Sequence, residues 1–142
     1  VPVRHALLVA DAGLAGRLGR VAAALDTLAG LLGPYPFATF ATAEVPLVYA
    51  GMENAAVPFL QAALYRQTAA GRNPVEEVAV HELVHQWWGN RVAPADWRDL
   101  WLSEGPATYL SAEVMCSSSC RYRVAMLCLL RCAPSPKVAE SP

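Results

Sequence analysis

The segment that most constrains the fold is residues 75–90, which read VEEVAVHELVHQWWGN. Asn73 and Pro74 precede it and suit the N-cap and first-turn positions of a helix, and Gly89 is expected to end that helix. Valine, leucine and tryptophan cover nearly every face of the helix. A helix that is apolar all round is buried, so this one is predicted to lie in the centre of the fold.

The polar exceptions in this helix are His81, Glu82 and His85, which form the pattern H-E-x-x-H. Helix positions four apart lie on one face, so both imidazoles can reach one metal ion. Imidazole is a good ligand for Zn²⁺, and Glu82 stands where it can take a proton from a nearby water. The alternative is two hydrogen-bonded core histidines, but the desolvation cost of three buried polar groups argues against a purely structural role.

A third metal ligand is available in the segment WLSEG, where eighteen residues separate His85 from Glu104. Two histidines on one helix and a glutamate from the next helix make a His₂Glu site, the arrangement found in zinc peptidases. The sequence therefore predicts one Zn²⁺ ion held by His81, His85 and Glu104.

HELVHQWWGN followed by WLSEG resembles the aminopeptidase N and leukotriene hydrolase family of gluzincin metallopeptidases, over roughly residues 31–115. The resemblance implies an α+β fold, a partial thermolysin-like catalytic domain with helices packed on a small mixed sheet that has an antiparallel edge. We expect residues 1–115 to form this partial domain and residues 116–142 to be an unassigned, partly disordered tail. The implied reaction is the removal of an N-terminal residue from a peptide, with Glu82 as the general base.

The segment AGMEN resembles the G-x-M-E-N segment that forms the rim of the active site in that family. The resemblance implies that Glu53 grips the free α-amino group of a peptide, and that the strand at Gly51 and Met52 pairs with the substrate backbone. The family more often has Gly-Ala before Met-Glu-Asn, whereas this chain has Ala50 and Gly51, and small residues follow Asn54. Substrate side-chain preference is left open.

Other functions of the same chain stay open at this stage. A thermolysin-like endopeptidase would share the zinc site and have no use for Glu53. An epoxide hydrolase activity occurs in one branch of the family, and nothing in the chain argues for it. A non-catalytic zinc-binding fragment of a larger peptidase is the alternative from a different class. The composition favours missing flanking domains of the same polypeptide, because 55% of the residues are apolar and only 16% are charged.

The family resemblance also implies a tyrosine, well downstream of the third ligand, that donates a hydrogen bond to the tetrahedral oxyanion. The tyrosines of this chain are Tyr35, Tyr49, Tyr65, Tyr109 and Tyr122, and none matches that position. Losing one oxyanion donor lowers turnover by about 10²–10³-fold. We therefore expect the isolated chain to bind zinc and to be a feeble peptidase.

Composition limits the partners of the chain. The net charge is −1 and no basic stripe is visible, which argues against nucleic acid. No apolar run approaches the length of a membrane helix and no signal peptide is visible. A cytoplasmic location is slightly favoured. Oligomeric state is left open.

The remaining predictions concern local structure. We expect a helix over residues 14–32 that stops at Gly33, strands over 37–42, 45–50 and 57–60, and a loop over 65–73. Trp97 and Trp101 are expected to be buried together, while Asp96 and Asp99 either cap the second ligand helix or orient a ligand imidazole. The cysteines are spaced as two i, i+4 pairs without a familiar zinc pattern, at Cys116, Cys120, Cys128 and Cys132.

Overall fold

The computed structural model describes residues 1–67 and 71–115 of the 142-residue chain. The tail over 116–142 and its four cysteines lie outside the described residues. The described elements, in chain order, are β1 (Val3–Ala6), a 3₁₀ segment (Val9–Leu18), α1 (Val21–Leu32), β2 (Phe40–Val45), β3 (Gly51–Met52), β4 (Phe59–Gln61), a 3₁₀ segment (Ala62–Arg66), α2 (Pro74–Val84), a 3₁₀ segment (Trp97–Asp99) and α3 (Trp101–Met115).

The four strands form one mixed sheet in the order β1-β2-β4-β3. β1 and β4 both run parallel to β2, and β3 pairs antiparallel with β4 at the edge, with Gly51 opposite Leu60. Of the three α-helices in the described part of the chain, α2 packs on this sheet, and α1 and α3 pack against α2. The α+β class with a small mixed sheet and an antiparallel edge is confirmed, whereas strand β1 was not anticipated from the sequence.

The strand predictions were close to the observed elements but displaced along the chain. β2 ends at Val45 because Pro46 follows, and proline has no N–H to donate to a neighbouring strand. The predicted strand over 45–50 is instead a connection, and the edge strand begins only at Gly51. The returning strand is found at Phe59–Gln61, and a 3₁₀ turn with Tyr65 fully buried occupies part of the predicted loop.

The helix predicted over 14–32 is two elements. Glycines at positions 13, 16 and 19 lower the α-helical propensity of the first half, which forms the 3₁₀ segment. Arg17 ties this segment to the carbonyl groups of Tyr65 and Gln67. The expected end of the second half is confirmed, because Gly33 has φ 91° and donates its N–H to the Ala29 carbonyl oxygen at 3.1 Å.

Helix α2 lies at the centre of the fold, as its apolar faces predict. Its residues Val75, Ala79, Val80 and Leu83 have no exposed surface. It packs against α1, α3 and strands β3 and β4. The regular helix ends at Val84, and turns follow it, so the predicted end at Gly89 was five residues too late.

The start of α3 corrects the prediction for Trp97 and Trp101. The side chains of Trp97 and Trp101 are not buried together, since they are 86% and 65% exposed. They belong to different elements, so the i, i+4 relation within one helix does not hold. Ser103 lies inside α3, and Pro106 lies beyond the first helical turn. No helix among residues 1–67 and 71–115 is long and apolar enough to cross a membrane.

Candidate metal centre

The three predicted metal ligands converge where α2 meets α3. His81 and His85 stand one turn apart at the end of α2, and Glu104 lies in the first turn of α3. The Nε2 atoms of the two histidines are 3.1 Å apart. The carboxylate oxygens of Glu104 lie 3.3 Å from Nε2 of His81 and 3.5 Å from Nε2 of His85. In the described part of the chain this is the group of side chains with metal-ligand geometry.

These separations fit a tetrahedral zinc ion. Bonds of about 2.0–2.1 Å to zinc place two ligands of a tetrahedron about 3.3 Å from each other. The three observed distances, 3.1, 3.3 and 3.5 Å, surround that value. With three protein ligands, such a site keeps one position open, as catalytic zinc sites do.

The ring of His85 is held in the orientation that a metal ligand needs. Its Nδ1 lies 2.9 Å from the carbonyl oxygen of Trp88 and 3.1 Å from Oγ of Ser103. Because a carbonyl oxygen only accepts, Nδ1 carries the proton and the lone pair of Nε2 points toward His81 and Glu104. Trp88 and Ser103 take the role that the sequence left open for Asp96 or Asp99.

Asp96 has a different function in the fold: its carboxylate accepts a hydrogen bond of 2.9 Å from the backbone N–H of Arg98. It therefore caps the short 3₁₀ segment before α3.

Gly89 makes the close packing of His85 and Ser103 possible. It has φ 135°, and a Cβ at this position would lie 2.9 Å from Oγ of Ser103 and 3.2 Å from Nδ1 of His85.

His81 is partly exposed, and its surroundings favour the neutral imidazole. Burial lowers the pKa of His81, and the nearby His85 lowers it further, against the opposing effect of Glu104. Neutral imidazole is the form that binds zinc.

The Glu82 carboxylate is buried beside the three ligands, with 5% of the residue exposed. Burial raises the pKa of Glu82 to about 8, and the negative charges of Glu53 and Glu104 contribute to the rise. A divalent cation held nearby would lower this pKa again. Gly51 lies directly against the carboxylate, because a Cβ there would be 2.2 Å from Oε1 of Glu82. The glycine at this position leaves room for that placement.

The predicted substrate-binding residues line the edge of the same site. Gly51 and Met52 form strand β3, the outer strand of the sheet. Glu53 follows β3 and lines a cleft of about 320 Å³ together with Gly89 and Ser103. The structure therefore brings the predicted metal ligands, the predicted base and the predicted substrate-binding residues to one place.

Three residues that hold the site together were not predicted from the sequence to do so. Ser103 contacts His85, while the amide side chains of Gln86 and Asn90 contact the backbone of residues 53–56. Gln86 has no exposed surface. An amide in a stretch predicted to be buried was the sequence signal for such a role, because an amide buried without partners is costly.

The comparisons with known proteins agree with this geometry. Residues 25–133 match the Peptidase family M1 domain, so the match extends beyond residue 115 into the segment expected to be an unassigned tail. Aminopeptidase B of Rattus norvegicus is 32% identical over 101 residues, which cover 70% of this chain and 14% of that protein. Probable aminopeptidase 1 of Saccharolobus solfataricus is 41% identical over 83 residues, 55% of this chain and 11% of that protein.

A solved structure shares the fold of the described residues. It is an M1 zinc metallopeptidase mutant from Deinococcus radiodurans, bound to a Tyr-Ser-Ala substrate. The TM-score is 0.55 at 38% identity, and the match covers 67% of this chain and 21% of that one. The chain thus spans only a small part of these relatives: 14% of the length of aminopeptidase B and 21% of the Deinococcus radiodurans chain.

A match over most of the chain, the convergence of two histidines and a glutamate, and the likeness to a zinc metallopeptidase lead to one assignment: the chain belongs to peptidase family M1.

Proposed function

We propose that this chain carries the zinc centre and the amine-binding edge of an aminopeptidase that removes the N-terminal residue from peptides. The observation that carries the proposal is the convergence of His81, His85 and Glu104, with separations of 3.1–3.5 Å between their ligand atoms. These residues would hold one zinc ion. When bound, zinc polarises the scissile carbonyl and makes water a better nucleophile at neutral pH.

Glu82 is proposed as the general base of this reaction. Its carboxylate accepts a proton from the attacking water and passes it to the nitrogen of the leaving amine as the peptide bond breaks. Two features support this role: the carboxylate is buried beside the ligand histidines, and Gly51 leaves space for it there. Burial excludes bulk water from the group that moves the proton.

Glu53 is proposed to bind the ammonium group of the substrate. A carboxylate holds an ammonium by charge-assisted hydrogen bonds, and such a contact distinguishes a free N-terminus from a blocked one. The edge strand at Gly51 and Met52 offers its backbone to an extended peptide, which would then lie with its first peptide bond beside the metal ligands. The peptide-bound M1 structure from Deinococcus radiodurans supports a peptide as the substrate class.

Metal analysis of purified variants tests the ligand set and the base together. We expect about one zinc per chain in the wild type and loss of zinc in the double variant His81→Ala/His85→Ala. His5→Ala is the matched control, because His5 bonds to Thr42 in the sheet and lies outside the ligand group. Glu82→Gln should keep its zinc and, in a form of the protein with measurable activity, lose about 10²–10⁴-fold in cleavage of a fluorogenic aminoacyl substrate.

Glu77→Gln is the control for this second variant, since Glu77 is on the same helix and pairs with Arg72 at the surface. Normal zinc content in the double histidine variant would contradict the ligand set. Loss of zinc from Glu82→Gln, but not from Glu77→Gln, would mean that Glu82 is a ligand and not the base.

A further inference from the structure

Two amide side chains that follow the ligand histidines bind the backbone of the segment that carries Glu53. Asn90 donates a hydrogen bond of 2.6 Å from Nδ2 to the carbonyl oxygen of Glu53. Gln86 accepts one of 2.8 Å at Oε1 from the backbone N–H of Ala56. The Nε2 group of Gln86 donates at 3.1 Å to the carbonyl oxygen of Glu82 and approaches that of Asn54 at 3.4 Å.

The environment of Gln86 shows that these bonds are an integral part of the fold. The residue has no exposed surface, and both ends of its amide have backbone partners. Removing a buried partner leaves its counterpart without a hydrogen bond, which is more costly than losing an exposed contact. These hydrogen bonds therefore tie the segment over residues 53–56 to the end of α2 and the turn after it.

Ala56 gives a second, independent sign that this segment is held in place. It has φ 62°, a left-handed conformation that costs a non-glycine residue free energy. Its N–H is bound by Gln86, and its carbonyl oxygen accepts a hydrogen bond of 2.9 Å from the N–H of Ala41 in strand β2. Such a conformation persists where the surroundings impose it, and it concentrates at functional sites.

We infer that Gln86 and Asn90 are positioning residues that set the distance between the Glu53 carboxylate and the metal ligands. The inference rests on the proposed role of Glu53 as the binding group for the substrate amine. One ligand must reach Glu53 with its ammonium group and the metal with its carbonyl group at the same time. An error of about 1 Å in that spacing is enough to lose the simultaneous contact, so a rigid link between the two groups is required.

The two links come from the turns that directly follow α2, the helix that carries His81 and ends next to His85. Gln86 directly follows the second histidine, and Asn90 follows the turn that ends the helix. The backbone N–H of Asn90 donates to the carbonyl oxygen of His85 at 2.9 Å. The position of Asn90 is therefore fixed relative to a proposed metal ligand. The amine-binding group and the metal centre thus share one support.

Binding of two probes to the zinc-loaded 142-residue chain tests this inference without requiring turnover. The probes are L-leucine hydroxamate and its N-acetyl derivative, which share a metal-binding group and differ in the free amine. Isothermal titration calorimetry should show that the wild type prefers the free amine by about 10–100-fold, the range expected for a charge-assisted hydrogen bond. Asn90→Asp, which replaces the donor facing the Glu53 carbonyl with an acceptor, should reduce the preference about tenfold or more and leave the acetylated probe unaffected.

Gln86→Ala should behave in the same way, and Arg91→Ala is the matched control because that exposed residue adjoins Asn90. A metal-independent measurement complements the titration. Hydrogen exchange of the Ala56 amide in zinc-free protein should accelerate in Gln86→Ala and not in Arg91→Ala, because only the former removes its acceptor. Asn90→Asp keeps the inference testable if Gln86→Ala does not fold.

Glu53→Ala separates the failure of this inference from the failure of the proposed function. If the wild type does not prefer the free amine, or Glu53→Ala keeps that preference, the amine-binding role of Glu53 is refuted. The positioning role of Gln86 and Asn90 is then refuted as well. If Glu53→Ala abolishes the preference while Asn90→Asp and Gln86→Ala retain it, only the positioning role is overturned. An equal loss of affinity for both probes would assign Gln86 and Asn90 to general stability, which also contradicts the inference.

Discussion

Glu44 is a carboxylic acid that strand β2 buries next to a second one, Asp11. The two residues are 5% and 2% exposed. Leu8 donates its backbone N–H to Glu44 at 2.9 Å, and Arg66 forms an ion pair with Asp11. Burial raises the pKa of Glu44, and Asp11 raises it further, against the opposing effects of the Leu8 bond and Arg66. The folded protein therefore holds the proton of Glu44 more tightly than the unfolded chain does.

This pKa shift makes stability fall as the pH rises. A carboxyl with a raised folded-state pKa costs nothing below its ordinary pKa of 4.5, and its cost grows as the pH rises from there to the folded-state pKa. We expect Glu44→Gln to leave the free energy of unfolding unchanged at pH 4. At pH 7.5 the same variant should be more stable than the wild type. The gain within that window is at most about 1.4 kcal/mol for each pH unit.

Urea unfolding of both proteins at the two pH values measures this difference. Glu77→Gln is the control, because its carboxylate pairs with Arg72 near the surface. A gain for Glu44→Gln that is the same at pH 4 and pH 7.5 would show that the effect is one of packing and not of protonation.

At the scale of elements, helix α3 contains a proline at a position that disfavours a helix. It begins with the N–H of Glu104 bonded to the Leu100 carbonyl oxygen at 3.0 Å, so Pro106 is beyond the positions where a proline costs nothing. Pro106 cannot donate to the carbonyl oxygen of Leu102, and its ring crowds that group. Helix α3 nevertheless forms, because its buried residues Ala107 and Leu110 pack in the core against the same helix that carries the histidines.

Replacing this proline should therefore stabilise the protein. We expect Pro106→Ala to raise the free energy of unfolding by up to about 3 kcal/mol, the cost of a proline in a helix interior. Gly105→Ala is the comparison, since no atom lies within 4 Å of a Cβ built at Gly105 and the expected gain there is about 1 kcal/mol. Thermal or urea unfolding measures both variants. A gain from Pro106→Ala no larger than that from Gly105→Ala would mean that the helix already accommodates the proline without strain.

At the scale of the whole molecule, an apolar surface at the start of α3 has no cover within the described residues. This tryptophan face consists of Trp97, Leu100 and Trp101, which are 86%, 38% and 65% exposed. Exposed apolar patches of this kind favour association. The face adjoins the cleft that Glu53 lines, because Trp97 and Leu100 line that cleft too.

The 142-residue chain prepared by itself should consequently self-associate. Sedimentation velocity over a range of protein concentrations should show species larger than the monomer, and Trp97→Glu/Trp101→Lys should shift the distribution toward the monomer. Leu31→Lys is the control, since Leu31 is a half-exposed residue of α1 away from this face. An unchanged distribution in the double variant would exclude the tryptophan face as the cause. Low peptidase turnover by the same chain, expected from its tyrosine positions, stays a prediction.

The sequence by itself determined the elements whose signals are local. The spacing of His81 and His85 follows from helical periodicity, the apolar faces of α2 required burial, and Gly33 ended α1 through its own conformational freedom. Glu104 in WLSEG was available as the third ligand because it lies on the next helix along the chain. The resemblance to the metallopeptidase family rests on the same short segments, because the spacing of their residues is local.

Only the tertiary structure decided which groups meet across the chain. The partners of His85, Gln86 and Asn90 are backbone or side-chain atoms that no periodicity relates to them. Burial of Trp97 and Trp101 was predicted from their spacing alone and was wrong, because exposure depends on what packs against an element and not on the element itself. Strand bounds moved for the same reason: a strand is defined by its pairing, and pairing partners are distant in the sequence.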